Sequence, residues 1–153
     1  MSTKNLILIF FISLSLMVSS AFGEDADSIV GLWSTPENKS KIKILKCGDK
    51  YCGRLATLKE PNYPADDKEG MAGKPKVDRK NPNLEFRAHH LVGLQLMQGF
   101  SYSGGNIWEG GKIYDPENGK FYRCKITLSN PKRLEVRGYI GFSFIGETSV
   151  WTR

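Results

Sequence analysis

The chain has 153 residues, 40% of them hydrophobic and 25% charged, with a formal net charge of +6 at pH 7. This length suits one domain with one hydrophobic core. The modest positive charge favours anionic neighbours such as a cell-envelope surface, or simply keeps the domain soluble.

The first residues have the pattern of a cleaved signal peptide. Lys4 is followed by an apolar run over residues 6–18, and Ala21-Phe22-Gly23 has the small-x-small form that a signal peptidase needs. An uncleaved anchor is the alternative. We expect cleavage after Gly23, a single domain over residues 24–153, and a periplasmic or secreted location. In an exported protein we expect no nucleic-acid partner.

The remaining sequence alternates short strand patterns with turn signals. The predicted strands are 29–35, 41–47, 51–59, 89–99, 107–114, 121–128, 134–140 and 147–153. Regular short strands of this kind predict a sandwich or a barrel, and mostly consecutive hairpins favour an up-and-down meander. We therefore predict an all-β, single eight-stranded antiparallel barrel.

Residues 60–84 break the strand pattern. They hold four prolines, two glycines and ten charged residues. A loop of this length in a compact domain is usually a lid, a binding loop or a disordered segment. We interpret it as one polar loop, with Met71 and Val77 as its anchors.

The three cysteines fall into a pair and a single residue. If Asp49-Lys50 is a two-residue turn, Cys47 faces Cys52 across a hairpin, and an oxidising compartment would let them form a disulfide. Cys124 alternates with Tyr122 and Ile126 on an apolar face, which predicts a buried, inert thiol.

Several stretches together resemble one family of small exported bacterial proteins, the domain of unknown function 2147. The stretches are Gly31-Leu32-Trp33, Cys52-Gly53-Arg54-Leu55, residues 78–82, residues 110–120, residues 137–141 and Trp151-Thr152-Arg153. The resemblance covers the whole predicted mature chain. It implies a lipocalin-like barrel and a periplasmic or secreted location, and it implies no established activity.

Trp33 and Arg153 are expected to have a structural role. In lipocalin-like barrels the tryptophan of the first strand plugs the closed end, and an arginine from the last strand stacks over it. A guanidinium over an indole contributes about 0.5–2 kcal/mol. The alternative is that Arg153 is frayed in solvent.

Four residues are the candidate ligand-binding set: Trp108, Tyr114, Arg137 and Tyr139. Trp108 and Tyr114 are an even number of residues apart on one predicted strand, so regular alternation places them on the same face. The same holds for Arg137 and Tyr139 on a later strand. If they face an open mouth, they form an aromatic pocket with one cation, suited to an amphipathic anion. The alternative places Arg137 in solvent while Val136 and its neighbours fill the core.

The sequence favours binding over catalysis. The adjacent His89 and His90 point to opposite faces of a strand, and we find no nucleophile beside a base, so we expect no metal, no cofactor and no enzyme activity. The leading hypothesis is an exported binding protein for a small, partly apolar or amphipathic molecule, acting as a monomer or weak dimer. The alternative is a cell-envelope module with a fully packed barrel that meets an envelope component or a protein partner.

Overall fold

A computed structural model describes residues 25–153 of the chain. Eight strands account for most of them. Their bounds are β1 Gly31–Ser34, β2 Ser40–Cys47, β3 Lys50–Leu58, β4 Gln95–Gly104, β5 Ile107–Asp115, β6 Lys120–Asn130, β7 Arg133–Tyr139 and β8 Gly146–Thr152. Three short 3₁₀ helices add Ala26–Ile29, Pro36–Asn38 and Leu84–Phe86. The predicted signal peptide lies outside the described residues.

The strands form one closed antiparallel barrel in chain order, with β8 returning to β1. The predicted all-β, eight-stranded up-and-down barrel is therefore confirmed. Because the strands alternate in direction, the connections alternate between two ends. We call the end with the first 3₁₀ helix and Arg153 the closed end. The other end, with residues 35–39, 59–94, 116–119 and 140–145, is the open end.

The half of the barrel nearest the closed end is filled by side chains. Trp33, Phe100 and Trp108 are at most 1% exposed. Glycine makes room for such bulk, since a Cβ at Gly111 would lie 2.5 Å from the ring of Phe100. Burial of large apolar side chains at this density is the main source of stability in a domain of this size.

Strand β4 begins later than the sequence predicts. The predicted strand 89–99 is instead Gln95–Gly104, and the connection to β5 consists of Gly105 and Asn106. The apolar residues Leu91 and Leu94, which prompted the early start, pack against the core from the long connection. The first strand also starts two residues later than predicted, after the 3₁₀ helix Ala26–Ile29.

The long connection between β3 and β4 is folded against the barrel. Its internal bridges pair Asn62 with Pro75 and Val77 with His90. Its most buried residues are Tyr63, 7% exposed, and Asp78, 0% exposed, rather than the predicted anchors Met71 and Val77. We call residues 59–94 the long loop.

The predicted disulfide between Cys47 and Cys52 is confirmed. The register of its hairpin differs by one residue, because Cys47 pairs with Lys50 and the turn is Gly48-Asp49. Cys52 pairs with Leu45, so the two cysteines lie diagonally across the ladder with Cα atoms 5.9 Å apart. Cys124 is buried and free.

Candidate functional site

The open end of the barrel contains a cup of about 810 Å³. Side chains from β5 to β8 form its inner wall, and the connections of the open end form its rim. The inner wall includes Ile113, Tyr122, Val136, Gly138, Ser149 and Trp151. The rim includes Lys39, Pro116, Glu117, Asn118, Ile140, Ile145 and Glu147.

A bulge in β5 decides which side chains face the cup. Trp108 pairs with Ile126 and Gly111 pairs with Cys124, so three steps on β5 match two steps on β6. Because of this extra residue, the side chains of β5 from Gly111 onward point to the opposite face from the one that strict alternation from Trp108 predicts. Ile113, opposite Tyr122, consequently faces inward, and Tyr114 turns outward.

The floor of the cup is the indole of Trp151, which is 4% exposed. Trp151 lies opposite Leu134 in the β7–β8 ladder, at the level where the packed core begins. Its indole N–H donates to the hydroxyl of Ser149 at 3.0 Å. The barrel is thus filled below Trp151 and open above it.

The long loop adds a second cavity of about 540 Å³ beside the cup. The two cavities share Lys39, Ser40 and residues 115–117 as lining, so they are neighbours at the open end. The second cavity has an apolar base that includes Leu55, Leu58, Tyr63, Leu91 and Leu96. Its cations are Lys39, Lys76, Arg79 and Lys80.

Asp78 fixes the long loop to the outer wall of β5. Its carboxylate accepts hydrogen bonds from the Tyr114 hydroxyl at 2.7 Å and from the Asn81 side chain at 2.7 Å. Burial, together with the hydrogen bond to Asp78, raises the pKa of Tyr114 far above its ordinary value. Tyr114 therefore stays a neutral donor, which is what a buried carboxylate requires.

A second contact inside the long loop centres on Arg79. Its guanidinium lies 4.3 Å from the centre of the Tyr63 ring and 2.9 Å from Asp67. The hydrogen bond from Arg79 lowers the pKa of the Asp67 carboxyl below its usual value. The Tyr63 hydroxyl in turn bonds with the backbone of Val77. These contacts give the wall of the second cavity a fixed shape.

The four residues of the candidate ligand-binding set do not form one pocket. Tyr114 and Tyr139 border the cup, whereas Trp108 and Arg137 are not among its lining residues. Trp108 is fully buried in the closed half, where its indole donates to the carbonyl of Ala26 at 3.0 Å. The expectation that Trp108 and Tyr114 share a face is wrong, because the β5 bulge lies between them.

Arg137 and Tyr139 belong to the outer face of β7. They pair with Lys125 and Arg123, while the intervening Gly138 pairs with the buried Cys124. The guanidinium of Arg137 donates to the Ser143 carbonyl at 2.5 Å and to the Thr148 hydroxyl at 2.9 Å. The solvent-facing alternative for Arg137 is the one that fits this geometry.

Trp33 and Arg153 meet at the closed end. The guanidinium carbon of Arg153 lies 4.2 Å from the centre of a Trp33 ring. Arg153 also donates to the carbonyls of Ser28, Val30 and Pro131 at 2.8–3.2 Å. The Trp33 indole donates to the Ile29 carbonyl at 2.8 Å. This cluster closes the end opposite the cup.

Little in the sequence distinguishes the residues that line the cup from ordinary core residues. Ile113, Tyr122 and Val136 look like ordinary core positions of alternating strands, and sequence alone does not tell which layer stays empty. Gly138 is the one local indication of the cup. A glycine between Arg137 and Tyr139 places no side chain at an inward position, which leaves space inside the barrel.

Within residues 25–153, no cluster of three or more His, Cys, Asp or Glu side chains has the geometry to hold a metal ion. In the same residues, no helix is long and apolar enough to cross a membrane.

The family model described as an uncharacterized protein conserved in bacteria, DUF2147, matches residues 31–153. The chain belongs to the DUF2147 family. Among solved structures, this DUF2147 protein is similar to HP1028 of Helicobacter pylori, described as a member of the lipocalin family. The TM-score is 0.67 with 22% sequence identity, over 81% of each chain. That likeness shows a lipocalin-like fold. No curated protein matches the sequence.

Proposed function

We propose that this DUF2147 protein is an exported, non-catalytic binding protein that holds a small, partly apolar molecule in the cup. The observation that carries the proposal is the division of the barrel into a packed half and an open half. A cup of about 810 Å³ falls within the range of roughly 300–1,000 Å³ that small-molecule sites occupy.

The wall chemistry indicates how such a molecule would lie. The inner wall offers the apolar surfaces of Ile113, Val136 and Trp151, with the hydroxyl of Ser149 among them. Charged side chains, including Lys39 and Glu117, stand at the rim. We infer an apolar body inside the cup and a polar part at the rim, because desolvating a polar group without a partner is costly.

Export is supported by the disulfide between Cys47 and Cys52, since such bonds persist in oxidising compartments. The family description as bacterial and the predicted signal peptide agree with a periplasmic or secreted location. The proposed oligomeric state is monomer or weak dimer.

A fluorescence titration with the uncharged dye N-phenyl-1-naphthylamine tests the cup directly. We expect saturable binding with a blue-shifted, stronger emission, because the dye leaves water for an apolar site. Gly138→Phe should weaken dye binding at least about tenfold, equal to about 1.4 kcal/mol of binding free energy. A Cβ at Gly138 meets its nearest neighbours at an ordinary 3.8–3.9 Å, and the phenylalanine ring would extend from there into the cup that Gly138 lines.

Lys125→Phe is the matched control, since Lys125 sits on the outer face of the adjacent β6. It adds the same ring outside the barrel and should leave dye binding unchanged. If the wild-type protein binds no dye, or if both variants bind it as well as wild type does, the cup is not the binding site. The packed-module alternative would then be favoured.

A further inference from the structure

The connection between β7 and β8 carries an unusual concentration of exposed apolar side chains. Ile140, Phe142, Phe144 and Ile145 are 68%, 69%, 76% and 57% exposed. We call these four residues the apolar tip. The rings of Phe142 and Phe144 stack on each other with centroids 5.5 Å apart. Both aromatic rings therefore present their surfaces to solvent at the open end of the barrel.

The tip is held in a defined turn. The amide of Ile145 donates to the carbonyl of Phe142 at 3.0 Å, and Gly141 supplies the positive φ of +71° that the turn needs. Two arginines stand directly behind the tip on the outer wall. Arg137 donates to the Ser143 carbonyl at 2.5 Å, and Arg123 donates to the Gly141 carbonyl at 3.4 Å.

The exposed apolar area of the tip favours a lipid surface over a protein as its partner. With aromatic side chains offering about 150–250 Å² each, the four residues expose on the order of 500 Å² of apolar surface. A stable protein–protein interface takes about 800 Å² from each partner. A lipid surface has no such minimum, because protruding apolar side chains can enter the region between headgroups and acyl chains one at a time.

The positive charges behind the tip favour anionic lipids. Arg123 and Arg137 lie one layer behind the apolar side chains, and the predicted mature chain, residues 24–153, has a net charge of +5. Aromatic residues at the depth of the headgroups with cations beside the phosphates are the usual arrangement at a membrane interface.

We propose that the apolar tip docks this protein onto an anionic lipid surface, with Arg123 and Arg137 facing the lipid phosphates. Ile140 and Ile145 also line the rim of the cup, so docking turns the mouth of the cup toward the bilayer. The docking proposal concerns the protein surface and holds whether or not the cup binds a ligand.

Cosedimentation with vesicles tests the docking. The protein, purified from bacteria that export it, should bind vesicles of phosphatidylethanolamine with phosphatidylglycerol and bind pure phosphatidylcholine vesicles more weakly. Phe142→Ser/Phe144→Ser should reduce binding to the anionic vesicles at least about tenfold, because it removes most of the inserting apolar area. Val30→Ser/Leu32→Ser, which changes two exposed apolar residues near the closed end, should bind as wild type.

A site-specific label reports the orientation. An environment-sensitive fluorophore on Ser143→Cys should shift to the blue on the anionic vesicles, whereas the same label on Ser103→Cys, near the closed end, should not. Free Cys124 is buried and does not compete for the label in the folded protein. Circular dichroism verifies that each variant is folded.

Three outcomes would overturn the docking proposal. They are vesicle binding that survives Phe142→Ser/Phe144→Ser, a blue shift at Ser103→Cys equal to that at Ser143→Cys, and no vesicle binding by the wild-type protein. Light scattering adds a fourth: a wild-type dimer that this double variant turns into a monomer would show that a second copy covers the tip.

Discussion

At the scale of single residues, the hydrogen bond between Tyr114 and Asp78 ties the long loop to the barrel. Asp78 is fully buried, and its carboxylate oxygens accept from Tyr114 and Asn81. Removing one donor from a buried carboxylate leaves it poorly satisfied, which costs about 1–3 kcal/mol.

Tyr114→Phe should therefore lower the free energy of unfolding by about 1–3 kcal/mol in urea denaturation. Hydrogen exchange should accelerate most in residues 76–91, which Asp78 holds in place. Tyr122→Phe is the matched control, because the Tyr122 hydroxyl bonds with the exposed side chain of Asn118. A Tyr114→Phe protein as stable as the control would contradict the anchoring role.

Tyr51 makes a separate prediction about alkaline pH. Burial, with the hydrogen bond from its hydroxyl to Asp27, raises the pKa of Tyr51 to about 12. A phenol whose pKa is raised in the fold contributes stability below its unfolded pKa of about 10, and that contribution is lost as the pH rises from 10 to 12. Burial of Cys124, whose pKa rises to about 12, acts in the same direction.

We expect the urea midpoint of the wild-type protein to fall between pH 9 and pH 11.5 and that of Tyr51→Phe to fall less steeply. The comparison cancels the contributions that Tyr114 and Cys124 make to both proteins. An equally steep fall in Tyr51→Phe would mean that the Tyr51 hydroxyl does not contribute.

At the scale of elements, the β2–β3 hairpin shows what local sequence can predict. The cysteine spacing was sufficient to predict the disulfide, because any tight turn between them brings Cys47 and Cys52 close. It was not sufficient for the register, since Gly48-Asp49 and Asp49-Lys50 are both acceptable two-residue turns. The positive φ of +67° at Gly48 favours the turn that the structure adopts.

The double variant Cys47→Ser/Cys52→Ser should lose about 1–2 kcal/mol of unfolding free energy, because the bond closes a very short loop in the unfolded chain. Urea denaturation of the oxidised wild type against the variant measures this difference. The reduced wild type is the control and should match the variant. A loss above about 4 kcal/mol would instead indicate a structural role beyond loop closure.

The candidate site was harder to predict than the strands. Turn signals and alternation are local, and they were enough to predict the barrel. The β5 bulge is also local, but its effect on Tyr114 depends on how Trp108 and Gly111 pair with β6. The burial of Asp78 depends on a loop contact 36 positions away in the sequence, which no periodicity reveals.

At the scale of the whole molecule, the barrel is closed by the contact between β1 and β8, which has little backbone pairing. We call this contact the seam. Among the described residues, β1 and β8 share the registered pair Ser34 and Thr152, whereas β7 and β8 pair along seven positions. Arg153 reinforces the seam by bonding the carbonyls of Ser28 and Val30 and stacking on Trp33. The closed end thus depends on one side chain to a large degree.

Arg153→Ala should lower the free energy of unfolding by about 2 kcal/mol, from the lost cation–π contact and the charge-assisted hydrogen bonds. Hydrogen exchange should rise in β1 and β8 before the other strands. Arg153→Lys keeps the positive charge but lacks the planar guanidinium group, so it should be more stable than Arg153→Ala and less stable than wild type. Uniform loss of protection around the barrel would argue against a local seam.

The proposed function requires that the open half of the barrel holds a small molecule. Native mass spectrometry of the protein purified from its own host, beside the Gly138→Phe variant expressed there, tests it most directly. We predict a discrete added mass on the wild-type protein that is absent from Gly138→Phe. A wild-type spectrum with the mass of the bare chain, or the same added mass on both proteins, would contradict the claim.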